Sequence, residues 1–153
     1  MNIPVVRGQN EVTRIVHEFD ALVTAGATDA PEMPEWNHPN HYVGTWFVDS
    51  SHSENPEAPV LEQIRAIVEW GAKQDGKILV HCLAGMSRST AIAWGIMIAK
   101  GVDAEEALQA LFDAHPSDHG VPRAFDPNRL IVRYLGIIFD RDDLPSIRGR
   151  IVG

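Results

Sequence analysis

Residues 77–90 read Lys77-Ile78-Leu79-Val80-His81-Cys82-Leu83-Ala84-Gly85-Met86-Ser87-Arg88-Ser89-Thr90. Ile78, Leu79 and Val80 form a short continuous apolar run, the pattern of a strand buried on both faces. After Arg88 the chain continues Ser-Thr-Ala-Ile-Ala-Trp-Gly-Ile-Met-Ile-Ala-Lys, apolar and long enough for a buried helix. Between them stands the only cysteine of the chain, with an arginine six positions later. The stretch thus predicts a strand, a tight loop and a helix start. A loop of this kind presents unpaired backbone N–H groups and the positive end of a helix dipole. N–H groups curled round one point form an anion nest. Gly85 permits the turn, and Arg88 can close the nest with a two-pronged grip on an oxyanion. The same field favours the thiolate form of Cys82. A thiolate on the floor of such a cradle is a nucleophile aimed at a tetrahedral anion, for which phosphate is the obvious candidate.

The 153 residues suit one domain with a proper core. A formal charge of −8 argues against a general binder of nucleic acid or of anionic membranes. A single cysteine makes no internal disulfide, and an essential thiol prefers a reducing compartment. There is no apolar run of transmembrane length and no signal-peptide pattern, so a cytoplasmic location is expected. Oligomeric state stays open.

Along the chain, Met1 to Gln9 carry few signals. From Asn10, a plausible N-cap, Val12, Ile15, Val16 and Phe19 share one helical face. Ala21 to Gly26 reads as a short buried strand. Thr28 to Pro39, with three prolines, reads as a loop. His41 to Val48 reads as a strand that ends in a polar loop from Asp49 to Pro56. A helix is expected from about Glu57 to Lys73, with Val60, Leu61, Ile64, Ile67 and Val68 as its buried stripe. Asp103 and Glu106 suggest a capping box for a helix to about Ala114. Asp126-Pro127 reads as a cap followed by proline at the first helical position, with the helix running to Phe139. The tail from Asp140 has no clear pattern. Strands alternating with helices imply an α/β fold with a mainly parallel central sheet flanked by helices.

His81-Cys82-x-x-Gly85-x-x-Arg88-Ser89 resembles the signature loop of the cysteine-dependent protein tyrosine phosphatases, and most of all their compact dual-specificity branch. Given one cysteine, this combination of residues arises by chance roughly once in 10^5. The plain alternative is a buried cysteine that happens to neighbour a salt-bridged arginine. The resemblance is strongest over residues 42–139, and it implies a single phosphatase domain over 1–153 with that family's fold. It also implies roles by position. Cys82 attacks phosphorus. The amides of Leu83, Ala84, Gly85, Met86, Ser87 and Arg88, with the Arg88 guanidinium, hold the phosphate oxygens. Ser89 helps the thiolate leave, and His81 orients the loop. The proton donor is expected on a mobile loop about thirty residues before the cysteine. Asp49, thirty-three residues before Cys82, fits that spacing, although no Trp-Pro-Asp triplet is present. A turn or capping aspartate is the alternative reading, with Glu54 as the second candidate acid. Glu57 reads equally as a helix N-terminal charge. Asn128 resembles the family's Pro-Asn and equally suits a helix first turn.

No metal or organic cofactor is implied. His38, His41, His52, His115 and His119 lack a ligand pattern and suit surface loops better than a metal site. Trp46, Trp70 and Trp94 suit packing, and Trp36 an exposed loop. The expected activity is hydrolysis of a phosphomonoester, protein phosphotyrosine or a dual-specificity range, through a cysteinyl phosphate. Two alternatives stand beside it: a phosphatase of a phosphoinositide, sugar phosphate or nucleotide, and a catalytically weak phosphoprotein-binding module.

Overall fold

The structure, a computed structural model, describes residues 3–25, 38–43, 47–82, 87–115 and 125–152. Four strands, β1 (Val5–Gly8), β2 (Ala21–Thr24), β3 (His41–Val43) and β4 (Ile78–Cys82), form one sheet in the order β1-β4-β2-β3. All pairings are parallel, with Gly8 beside Cys82 and Thr24 beside His81. The expected parallel α/β sheet is therefore present. β1 lies where the sequence reading found few signals.

Every residue of β2 and β4 is buried. Because side chains alternate across a strand, the two faces receive different residues. Ala21, Val23, Ile78, Val80 and Cys82 enter the main core, while Leu22 and Leu79 point to the opposite face. On that face Val12 of α1 (Gln9–Ile15) covers them, with Val16 and Phe19 from the following 3-10 turn, Val16–Glu18, and its exit. Asn10 is not the N-cap of α1. That position belongs to Gly8, where β1 passes directly into the helix.

The main core face carries α2 (Leu61–Ala72), α3 (Arg88–Ala99), α4 (Ala104–Ala114), α5 (Arg129–Ile138) and α6 (Leu144–Val152). α3 is buried from Arg88 to Met97, as its unbroken apolar sequence predicts. Its Gly95 makes close approach possible: a methyl group there would sit 2.6 Å from Leu135 and 2.9 Å from Val68. Trp94 donates its indole N–H to the Ala104 carbonyl at 2.9 Å. Trp70 packs on Tyr42 at 5.3 Å between ring centroids, so both of these tryptophans serve packing. Trp36 and Trp46 lie outside the described residues.

Two further helix starts differ from expectation. α2 begins at Leu61, and its N-cap Val60 is 51% exposed instead of joining the buried stripe. The Gln63 side chain accepts from the Val60 N–H at 2.9 Å, which compensates for a capping residue that has no polar group. Glu57 therefore lies in the turn ahead of the helix. In α5 the N-cap is Asn128, whose Oδ1 accepts from the Ile131 N–H at 2.9 Å, so Pro127 precedes the cap. Asp103 caps α4 as read, accepting from the Glu106 N–H. The tail, unplaced in the sequence reading, is α6. The chain turns into it through Asp140, whose φ of +53° is left-handed. Among the described residues no helix is long and apolar enough to cross a membrane.

Candidate active site

β4 is flanked by partners on both edges, and its last residue, Cys82, stands at the carboxyl end of the sheet. That is where open parallel sheets place their ligands. Cys82 is 2% exposed, and its Sγ lies 3.2 Å from the Ser89 hydroxyl in the first turn of α3. The strand and the helix thus bring thiol and hydroxyl together across seven positions of sequence. Leu83, Ala84, Gly85 and Met86, the expected source of most cradle amides, lie outside the described residues. Arg88 is 2% exposed and donates from Nη1 to the Phe47 carbonyl at 3.0 Å. This fixes one edge of the guanidinium and ties it to the segment that leads into Asp49.

Asp49 opens a loop whose base is closed by the Val48 N–H donating to the Glu57 carbonyl at 2.9 Å. The carboxylate is exposed, yet its Oδ1 accepts two hydrogen bonds, from the Ser87 hydroxyl at 2.7 Å and from Asn128 Nδ2 at 2.8 Å. Asn128 Nδ2 also donates to the Ser50 carbonyl at 3.1 Å. Asp49 is therefore fastened to the residue before Arg88. Glu54, the second candidate acid, is exposed and lies 3.6 Å from His52.

Ser87 is a hub that the sequence reading saw only as a backbone donor. Its hydroxyl holds Asp49, and its carbonyl accepts from the Asn128 N–H at 3.1 Å and the Thr90 hydroxyl at 2.9 Å. Behind Asn128 stands Arg148 of α6. It donates from Nε to the Pro127 carbonyl at 2.8 Å and pairs with Asp126. Neither partnership has a local sequence signal, because each joins segments far apart in the chain.

His81 is fully buried, and its Nε2 lies 2.8 Å from the Thr24 hydroxyl, which also lies 2.7 Å from His41 Nε2. One hydroxyl proton serves only one of two rings. His81 Nδ1 faces the Cys82 carbonyl at 3.4 Å and so carries its ring proton there. Thr24 then donates to His81 and accepts from His41. Burial, the largest influence, lowers the His81 pKa from 6.5 to about 4, with the nearby His41 and Arg88 charges acting in the same direction. His81 is therefore neutral across the physiological range.

This has a stability consequence. The unfolded chain takes up a proton at His81 near pH 6.5, whereas the folded chain resists until about pH 4. Stability from this group is complete above pH 6.5 and lost as pH falls through that window. Between pH 7 and pH 5 the loss is about 2 kcal/mol from this residue. In urea titrations His81→Gln should show a correspondingly smaller difference between the two pH values, and an equal difference in both proteins would refute the assignment. His38 and His52 bond elsewhere, to the Phe19 carbonyl and near Glu54. His115 packs on Phe125, and His119 lies outside the described residues.

A parallel sheet that delivers a lone cysteine to the mouth of a buried helix headed by arginine and serine defines a class of enzyme, the cysteine-dependent phosphatases. The chain belongs to the family described as dual specificity phosphatase, catalytic domain, whose model matches residues 6–124. That match extends to residues 6–41, ahead of the stretch 42–139 over which the sequence resemblance is strongest. Among solved structures the chain is similar to DUSP15, with a TM-score of 0.60 and 16% identity over 99% of this chain and 91% of that one. It is similar to a mouse putative dual specificity phosphatase complexed with zinc tungstate, with a TM-score of 0.59 and 19% identity over 89% and 80% of the two chains. It is also similar to human DUSP28, with a TM-score of 0.58 and 15% identity over 96% and 89%. At these identities the likeness is one of fold. No curated protein matches the chain. The chain is a cysteine-dependent phosphatase of the protein-tyrosine or dual-specificity kind.

Proposed function

We propose that the chain hydrolyses phosphomonoesters on proteins in two steps, through a cysteinyl phosphate on Cys82. In the first step the Cys82 thiolate attacks phosphorus and the bond to the leaving oxygen breaks. Arg88 grips the phosphoryl oxygens, and Asp49 gives the leaving oxygen its proton. In the second step water attacks phosphorus, Asp49 takes back a proton, and the sulfur–phosphorus bond breaks. The Ser89 hydroxyl then donates to the departing thiolate. The observation that carries this reading is the seating of Asp49 against Ser87, next to Arg88, by two hydrogen bonds to Oδ1. Oδ2 is left for the transferable proton. The 3.2 Å approach of Ser89 to Cys82 supports the second step.

The family match does not favour the alternatives of a non-protein substrate or a catalytically weak binding module. Leu83, Ala84, Met86 and Ser87 carry no charge, and the chain carries −8, a poor match for polyphosphorylated lipids. A thiol that must stay reduced suits the cytoplasm. The test is a turnover panel of phosphotyrosine and phosphothreonine peptides, a phosphoinositide and a sugar phosphate. Phosphopeptides, phosphotyrosine first, should give the highest kcat/KM. A multiply phosphorylated inositide that outpaced every peptide would overturn the substrate assignment.

A further inference from the structure

α5 holds the Asp49 loop along its length. Asn128 donates to Asp49 and to the Ser50 carbonyl, Arg133 donates to the Ser51 carbonyl at 3.1 Å, and the Tyr134 hydroxyl donates to the Pro59 carbonyl at 3.1 Å. Where Asp49 sits therefore depends on where α5 starts. Asn128 has little slack at that start. Its Oδ1 caps Ile131, its Nδ2 is shared between two loop oxygens, and its N–H reaches the Ser87 carbonyl. Just ahead of it the backbone offers few handles. Pro127 is buried and has no N–H to donate. Its carbonyl precedes the first acceptor of the helix ladder, the Asn128 carbonyl, which takes the Val132 N–H at 3.0 Å.

Arg148 supplies the missing hold. It is 6% exposed, donates from Nε to the Pro127 carbonyl at 2.8 Å and pairs through Nη2 with Asp126. Both bonds land on the two residues immediately before Asn128. α6 is itself anchored, by Leu144 and Ile147 in the core and by Arg150 against Glu105 of α4 at 3.2 Å. The plain reading is an arginine that only fastens α6 to the rest of the fold. A buried guanidinium is a poor fastener, because its desolvation offsets much of the ion pair and an apolar side chain would serve as well. An apolar side chain would not, however, direct the Pro127 carbonyl or satisfy it in the interior. We propose that Arg148 is a positioning residue for the proton donor: it sets Asn128 where Nδ2 meets Asp49, so that α6 takes part in expelling the leaving oxygen. The inference rests on the reading of Asp49 as the donor. Arg148 lies beyond residues 6–124, the span that the family model matches.

The test uses the full chain and compares Arg148→Met, Asp49→Asn and the double variant with wild type on two substrates. Phenyl phosphate needs a proton on its leaving oxygen, and a halogenated umbelliferyl phosphate does not. Arg148→Met should lower kcat/KM on phenyl phosphate by roughly tenfold, within what a displaced catalytic group costs. On the activated substrate the loss should stay below about twofold, because no general acid is called on there. In the Asp49→Asn background Arg148→Met should add nothing on phenyl phosphate, since both changes remove the same contribution. Inhibition by tungstate should be unchanged. A merely structural role predicts otherwise: equal losses on both substrates and losses that multiply in the double variant, and either result overturns the proposal. Weaker tungstate inhibition would also overturn it, by placing the effect in the cradle through Ser87 instead of at Asp49. If melting curves show Arg148→Met unfolded at the assay temperature, Arg148→Lys, which keeps the charge and loses the planar fork, is judged by the same substrate dependence. A loss in Asp49→Asn with none in the folded Arg148 variant strikes Arg148 alone, whereas an undiminished Asp49→Asn strikes the donor assignment itself.

Discussion

Cys82→Ser should bring turnover of every phosphomonoester down by at least roughly 10^4, in keeping with the loss of a covalent nucleophile. A serine hydroxyl fits the space beside Ser89 Oγ but is not ionised near neutrality, so no sulfur–phosphorus bond forms and none replaces it efficiently. The rest of the anion site keeps its residues, and Arg88 keeps its hydrogen bond to the Phe47 carbonyl. The variant should therefore still bind tungstate or phosphate, read by calorimetry or by a rise in melting temperature. This split between chemistry and binding is the sharp part of the prediction. Turnover near the wild-type rate would remove Cys82 from the mechanism. Loss of both turnover and oxyanion binding in a folded protein would mean that the thiol shapes the cradle as well as attacking from it.

The second large effect belongs to Asp49→Asn, which should lower kcat on phenyl or alkyl phosphates by roughly 10^2–10^4, the range for one general acid. Asparagine is nearly isosteric, and its Oδ1 can still accept from Ser87 and Asn128, so the loop stays seated. Only the proton is missing. The deficit should shrink on a substrate whose leaving group is already a stable anion, such as a halogenated umbelliferone. An unchanged kcat on phenyl phosphate would place the donor elsewhere, with Glu54 the next residue to substitute.

The parts of this molecule legible in sequence are those whose cause is local. The run 78–82 is buried on both sides and has no other reading than a central strand. Asp103 and Glu106 sit at capping spacing and behave accordingly. Asp49 could be placed by its distance from Cys82, but its hold on Ser87 could not, because that bond spans 38 positions. β1 escaped because only Val6 and Gly8 of its four residues are buried, too short an alternation to stand out. α6 escaped because Pro145 and Gly149 interrupt it and only Leu144, Ile147 and Arg148 are buried. Asp126-Pro127 looked like a helix start by composition, yet the cap fell to Asn128, which both closes the helix and reaches Asp49. A residue that serves two masters at once is the kind a one-dimensional pattern misplaces.

The hold of Asn128 on Asp49 also imposes an order in time. The two residues are 79 positions apart, and Arg148, which braces the approach to Asn128, comes later still. In a growing chain Cys82 and Arg88 are therefore made well before Asn128 and Arg148, and the clasp on Asp49 closes only once α5 and α6 are in place.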